Sequence, residues 1–400
     1  MRLSSAQIFQ QGISAILNQQ SKLQQTEQQL ATGKRLLTPS DDPAAAIQVL
    51  AITEGLERTD QYQSNGGVAQ SQLAREESVL ADVGNLLGRV RELVVQANNA
   101  SQTPETRGSI GKEISARIDE LRALSNTRDA NGEYIFAGFQ SRTEPFTVQG
   151  NVTSYQGDNG QRLLQLAQST QVAVRDSGFD VFMSIPSGNG VFDIKADNAN
   201  SGTAVMGSNS VSGTFNPDTY SIVFSQPTPA DPVTYEVLDA LSAVIVSGNY
   251  VAGDAIEFAG VRAKIDGIPA DGDNFQISPS VQTDIFSTLQ DIADQMDSVT
   301  SAPAQLAVFN SEMGRALTNI DQALNHVLDV RVDVGVRLGR VESQLDINDS
   351  FNLQLQEALS EVQDLDYAEA ISRFNLQLTG LQAAQQSYIK MQELSLFNFL

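Results

Sequence analysis

A seven-residue apolar repeat runs through both ends of this 400-residue chain and is missing from its middle. Met313, Leu317, Ile320, Leu324, Val327, Val334, Leu338, Val341 and Leu345 hold one register, broken only at Arg331. Upstream, Leu73, Leu80, Val83, Leu87, Val90, Val94 and Ala97 keep a 3–4 spacing. A repeat sustained this long requires helices packed side by side with slight supercoil, since only that geometry keeps the stripe covered along its length. After a break at SQTPETRGS (101–109), Ile110, Ile114, Ile118, Leu121 and Leu124 mark another helix. Tyr367, Ile371, Phe374, Leu378, Leu381 and Tyr388 resume the pattern after a shift in phase. Paired acids such as Glu76 and Glu77 are expected on the polar, solvent-facing side of these helices.

Residues 140–282 follow a different rule. They are rich in Gly, Ser, Thr, Asn, Asp, Pro and Val, with turn signals at GDNG (157–160), SGNG (187–190) and PADGDN (269–274) and strands such as TYSIVF (219–224) between them. The fold class is therefore mainly α with a β-rich insert: a long helical bundle from the N- and C-terminal halves, coiled-coil-like terminal helices and a central β domain. The expected divisions are 1–42 with 360–400 as a terminal helical pair, 43–140 with 283–359 as an α-helical bundle domain, and 141–282 as a β-rich outer domain.

Two boundaries are sharp. TPSDDPAAA (38–46) supplies a turn, an N-cap at Asp42 or Asp41, and Pro43 at the first helical position. RDANGEYIFAGFQ (128–140) turns at Asn131-Gly132 and then reads as an aromatic, strand-like run.

Charge and composition exclude several function classes. A net charge of −23 leaves no phosphate-tracking basic surface, so neither nucleic acid nor an anionic membrane is an expected partner. There is no cysteine, hence no disulfide, thiolate nucleophile or zinc–thiolate site. The one histidine, His326, lies beside an apolar stripe and reads as structural. Asp266, Asp271, Asp273 and Asn274 supply carboxylates and an amide without EF-hand spacing or its closing Glu, and read as a solvated loop rather than a calcium site. No GxSxG, Walker A, HExxH or dinucleotide fingerprint is present, so the expectation is no enzyme and no cofactor. The opening MRLSSAQIFQQGISAILNQQ lacks the apolar core of a secretory signal, and no run approaches 18 apolar residues.

What remains is interaction chemistry at the two ends. Phe9, Ile16, Leu23, Leu30 and Leu37 recur every seven residues; Ile13 fills the intermediate position once, and Gln20 and Glu27 occupy the next two. The other end, LSLFNFL, carries Leu394, Leu396, Phe397, Phe399 and Leu400 with no charge to keep it wet. Residues 396, 397 and 399 point different ways around a helix, so the segment wants several neighbours.

MRLSSAQIFQQG, LATGKRLLTPSDDPAAA (30–46), GEYIFAGF (132–139), FAGVRAKIDGIPADGDNFQISPS (258–280) and AEAISRFNLQLTGLQAAQQSYIKMQELSLFNFL (368–400) resemble bacterial flagellin-superfamily proteins, and among them the hook-associated branch. The resemblance spans roughly residues 1–160 and 255–400. It implies an extracellular structural adapter at the hook–filament junction, exported without a cleaved signal peptide, whose terminal segments order only on assembly. It further implies that Phe9, Ile16, Leu23 and Leu30 pair with Ile371, Phe374, Leu378 and Leu381 in an inner tube, within the subunit and against its neighbours. Ile13, Tyr388 and the 394–400 segment join that interface. The implied partners are further copies in a homo-oligomeric ring, a hook-side junction protein, flagellin, and a cytoplasmic export chaperone at the C-terminal helix. Two other readings stand beside this one: a flagellin-like filament subunit, and a secreted binding protein or adhesin using the β insert.

Overall fold

The computed structural model describes residues 5–393. Among them are six α-helices: α1 (Ser5–Thr32), α2 (Pro43–Ala97), α3 (Pro104–Ser125), α4 (Ile285–Ser298), α5 (Pro303–Gln363) and α6 (Tyr367–Glu393). The segment between α3 and α4 holds the strands, so the fold is helical at both ends with a β-rich middle. The chain divides into two compact units, residues 1–65 with 344–400 and residues 66–343, and the divisions fall inside α2 and α5.

The helix ends are set by residues legible in the sequence. Asp42 Oδ1 accepts the Ala44 and Ala45 amides, each at 3.1 Å, so Asp42 is the N-cap and Pro43 the first helical residue. Asp41 instead holds the preceding turn, accepting from Leu37 and Thr38. Thr103 caps α3 in a reciprocal box with Thr106, again with Pro104 at the first position. Asp284 caps α4 through the Ser287 amide at 2.7 Å.

In the larger unit, α2 contributes Leu73, Leu80, Val83, Leu87, Val90 and Val94 to a fully covered core, and α5 contributes Met313, Ile320, Val327, Val334 and Val341. The helices α3 and α4 pack closely at Gly111, where a Cβ would lie 3.2 Å from the Ala293 carbonyl. Arg107 is buried near the end of α2. Its Nε donates to the Ala97 carbonyl at 3.0 Å, and its guanidinium lies 5.0 Å from the centre of the Phe309 ring. It therefore serves carbonyls that the helix terminus would leave orphaned.

Glu76 corrects the expectation of solvent-facing acids. Its side chain is 0% exposed, and Glu77 is half-buried against Arg331, 2.6 Å away. The spacing from Leu73 to Leu80 puts position 76 inside the stripe, where an apolar residue would ordinarily sit. Glu76 Oε1 accepts the Asp176 amide at 2.9 Å, and Asp176 itself pairs with Arg337 and accepts from Gln161. Burial, and next the neighbouring Asp176 carboxylate, push the Glu76 carboxyl up to about 8, against the opposing pull of the Asp176 amide, Arg337 and Arg175.

The run GEYIFAGF also departs from expectation. It forms successive turns rather than a strand, with a single bridge between Arg128 and Tyr134. The Asn131-Gly132 turn is present, Gly132 at φ +80°, but Gly138 at φ +67° bends the chain again six residues later. Of the run's aromatic residues Tyr134 and Phe136 are buried, while Phe139 stays 69% exposed. Phe136, Phe146, Phe182 and Phe286 pack ring on ring at 5.1–6.2 Å, joining these turns to α4.

The strands between residues 192 and 279 make their own core. A five-stranded antiparallel sheet runs β10 (Val244–Asn249), β9 (Thr234–Leu238), β8 (Tyr220–Ser225), β13 (Asn274–Pro279), β6 (Phe192–Ala196). A three-stranded sheet runs β11 (Ala255–Phe258), β12 (Val261–Asp266), β7 (Val205–Val211). Alternate residues of both sheets, among them Ile222, Phe224, Val237, Phe258, Val261, Phe275 and Ile277, meet in one cluster. The remaining strands are paired two by two: β1 (Phe146–Gln149) with β2 (Val152–Tyr155), β3 (Leu163–Ala167) with β4 (Thr170–Ala173), and β5 (Ile185–Pro186) with β14 (Gln282–Thr283). His326 Nε2 lies 2.7 Å from the Asp180 carbonyl oxygen, a structural contact. Asp273 is buried and accepts from the Ser201, Gly202 and Ala270 amides, so its oxygens serve the loop backbone.

Candidate assembly interface

In the smaller unit, α1 and α6 lie antiparallel. The Phe9 and Tyr388 rings meet edge-on at 5.6 Å near one end, and Gly33 sits against Tyr367 at the other. At that second end α1 stops because Gly33 takes φ +70°, and a Cβ there would lie 2.8 Å from the Tyr367 hydroxyl. Arg35 N then donates to the Gln363 carbonyl at 2.8 Å and Leu365 N to the Gly33 carbonyl at 3.0 Å. These bonds fix the α5–α6 corner to the end of α1, and Asp366 caps α6 through the Ala368 and Glu369 amides.

The covered positions of α1 are Phe9, Gly12, Ile16, Gln19, Leu23, Thr26, Gln29 and Leu30, and those of α6 are Ala370, Arg373, Phe374, Gln377, Gly380, Leu381, Ala384 and Tyr388. Phe9, Gly12, Ile16, Gln19, Leu23, Thr26 and Leu30 keep a 3–4 spacing, as do Ala370, Phe374, Gln377, Leu381, Ala384 and Tyr388, with Gln29, Arg373 and Gly380 covered beside them. On each helix one set of the repeat is apolar and the other small or polar. Thr26 donates to Gln377 Oε1 at 2.8 Å, and Gln19 Nε2 to the Gln377 carbonyl at 3.2 Å. Gly380 lets the helices approach, since a Cβ there would lie 3.1 Å from Gln19 Nε2. A neutral hydrogen bond adds about 1 kcal/mol net, against roughly 1.5–3 for a buried Leu or Phe. Half of this seam thus contributes much less than a full apolar heptad would.

Seven of the expected interface residues meet here: Phe9, Ile16, Leu23, Leu30, Phe374, Leu381 and Tyr388 are half-buried along the seam. Ile13, Ile371 and Leu378 do not; within one chain they stay exposed. Leu394, Leu396, Phe397, Phe399 and Leu400 lie outside the described residues. Gly12, Gln19, Thr26, Ala370, Gln377 and Ala384 were missed because none is a large apolar residue, although the 3–4 rule applied to the seven-residue series would have found them. The outward faces carry further apolar side chains, Leu17 and Ile389 among them and Leu376 at 75% exposure. Among the described residues, no helix is long and apolar enough to cross a membrane.

Residues 4–141 match the bacterial flagellin N-terminal helical region and residues 317–400 its C-terminal helical region, which brings α1 and α6 under the two halves of one family. The solved FlgL of Xanthomonas campestris is 34% identical, with a TM-score of 0.72 covering 77% of this chain and 99% of that one. The flagellar hook-associated protein 3 of Legionella pneumophila is 33% identical, with a TM-score of 0.75 over 78% of this chain and 98% of its own. The chain belongs to the flagellar hook-associated protein 3 family. The similarity extends over full length in sequence, since the flagellar hook-associated protein 3 of Escherichia coli K12 is 27% identical over 99% of both chains. Polar flagellin C of Vibrio parahaemolyticus also aligns over 92% of this chain, but at 23% identity, below the 33–34% of the two solved relatives above.

Proposed function

We propose that this flagellar subunit joins hook to filament by assembling into a ring through α1 and α6. The observation that carries the reading is the α1–α6 pair itself: its seam is half polar, and its outward faces keep Ile13, Leu17, Ile371, Leu376, Leu378 and Ile389 in solvent. Apolar surface of that extent, distributed around both helices, fits a subunit covered by further copies of itself. Flagellin on one side and a hook-side junction protein on the other are the neighbours that such an adapter requires. Residues 394–400 add five large apolar side chains to the same end, which makes the C-terminal helix the place where a cytoplasmic chaperone would hold the chain before export. Terminal segments that gain most of their burial only on assembly leave their ordering entropy to be met at that step. Weakly held ends also suit export of the chain by threading without signal cleavage.

The test substitutes Leu376→Asp and Ile389→Asp together in the full-length chain. Each would place a carboxylate in an apolar contact of the assembly, a cost of several kcal/mol per copy. The expected result is loss of oligomers in sedimentation velocity and loss of motility in a strain carrying only the variant, with thermal unfolding of residues 66–343 unchanged. Normal oligomers and normal motility would overturn the reading.

A further inference from the structure

The smaller unit holds a groove of about 600 Å³ beside the turn that follows α1. It is lined by Leu36, Leu37 and Pro39 of that turn and by Pro43, Ile47 and Leu50 of α2. Ile47 is 69% exposed and Leu50 61%. No lining residue carries a charge, in a chain whose net charge is −23. The volume suits several large apolar side chains.

We propose that this groove receives residues 394–400 of a second copy of the chain. The proposal rests on the assembly reading above and names the surface that receives the segment. Its own copy cannot fill the groove. Gln363 lines the groove, and Phe9 pairs with Tyr388 at the opposite end of the helix pair. The 27 residues of α6 span about 40 Å at 1.5 Å each. Seven further residues reach at most about 25 Å even when fully extended. The segment that starts beyond Glu393 therefore falls short of the groove in its own chain, and a neighbour displaced along the helix pair brings it within reach.

The chemistry matches as well. The segment LSLFNFL has five large apolar residues in seven and no charge. Copies that repel one another overall meet most readily where neither surface is charged, and an apolar segment entering an uncharged groove leaves no ion unpaired.

Because the chain has no cysteine, single introduced thiols report on pairs of copies directly. Full-length Leu50→Cys and Phe397→Cys chains are mixed in equal amounts, concentrated until they assemble, and oxidised briefly. Leu376→Cys mixed with Phe397→Cys is the comparison. The expected result is a disulfide joining the thiol introduced at position 50 of one copy to the thiol introduced at position 397 of another. Mass spectrometry should find it at least tenfold more abundant than the comparison pair. A product dominated by the Leu376 variant, or by like-with-like pairs, overturns the groove assignment while leaving assembly intact. Sedimentation of the unoxidised mixture separates the two levels: absence of any oligomer contradicts the assembly reading and the groove together.

Discussion

The buried Glu76 makes a quantitative prediction. Its carboxyl, raised by burial and by Asp176 to about 8 in the folded chain, returns to about 4.5 on unfolding. Between those values the folded state keeps a proton that the unfolded state releases, so stability must fall as pH rises, by about 1.4 kcal/mol per pH unit at most. Below the lower value both states are protonated and the effect vanishes; above the upper value both are ionised and the loss is complete. From pH 5 to pH 8 the loss sums to roughly 2–4 kcal/mol, the lower figure allowing for relaxation around a carboxylate coupled to Asp176, Arg337 and Arg175. Glu76→Gln keeps an acceptor for the Asp176 amide and removes the titration. Urea unfolding followed by circular dichroism at pH 5, 6.5 and 8 should give equal midpoints for the two chains at pH 5 and a more stable variant at pH 8. A variant less stable than the parent at pH 8, or a difference that does not grow with pH, would refute the reasoning.

Three further outcomes follow from the packing. Arg107→Ala removes the donor at the Ala97 carbonyl and the contact with Phe309, and should lower stability by roughly 2–3 kcal/mol in thermal unfolding, with most of the loss persisting at high salt because the partners are carbonyls and a ring. Gly33→Ala forces a side chain into the left-handed region beside the Tyr367 hydroxyl, at a cost of roughly 1–2 kcal/mol, and should weaken assembly without altering the unfolding of residues 66–343. Excising residues 188–280 and joining Ser187 to Val281, whose backbones already meet at 2.9 Å, should leave the helical circular dichroism and oligomers in place, because the two sheets have a core of their own. A collapse of the helical signal would show that the bundle depends on it.

The helices were legible because a long apolar repeat admits few folds, and the caps at Asp42 and Thr103 sit where local chemistry puts them. The gaps in the repeats were informative in a way that residue type concealed. Glu76 and Arg331 interrupt their stripes, yet both remain near the seam, one as a buried carboxyl and the other as a partner for Glu77. Hydropathy assigns such residues to solvent; only the phase of the repeat shows otherwise. GEYIFAGF misled for the converse reason, since alternation-rich aromatics satisfy a strand pattern while Gly132 and Gly138 fold the backbone into turns. In the α1–α6 seam, large apolar residues marked one set of positions, and the glutamines, Thr26 and the small residues of the other were invisible to a search for hydrophobic side chains.

In the proposed assembly, α1, α6 and the segment beyond them are completed by neighbouring copies. Limited proteolysis of the full-length chain, as monomer and after assembly, with mass spectrometry of the surviving core, tests it most directly. The monomer should lose about the first 40 and last 40 residues while a resistant middle persists, and assembly should protect both ends. Ends that resist cleavage equally in the monomer would contradict it, because the seam within one chain would then suffice to hold them.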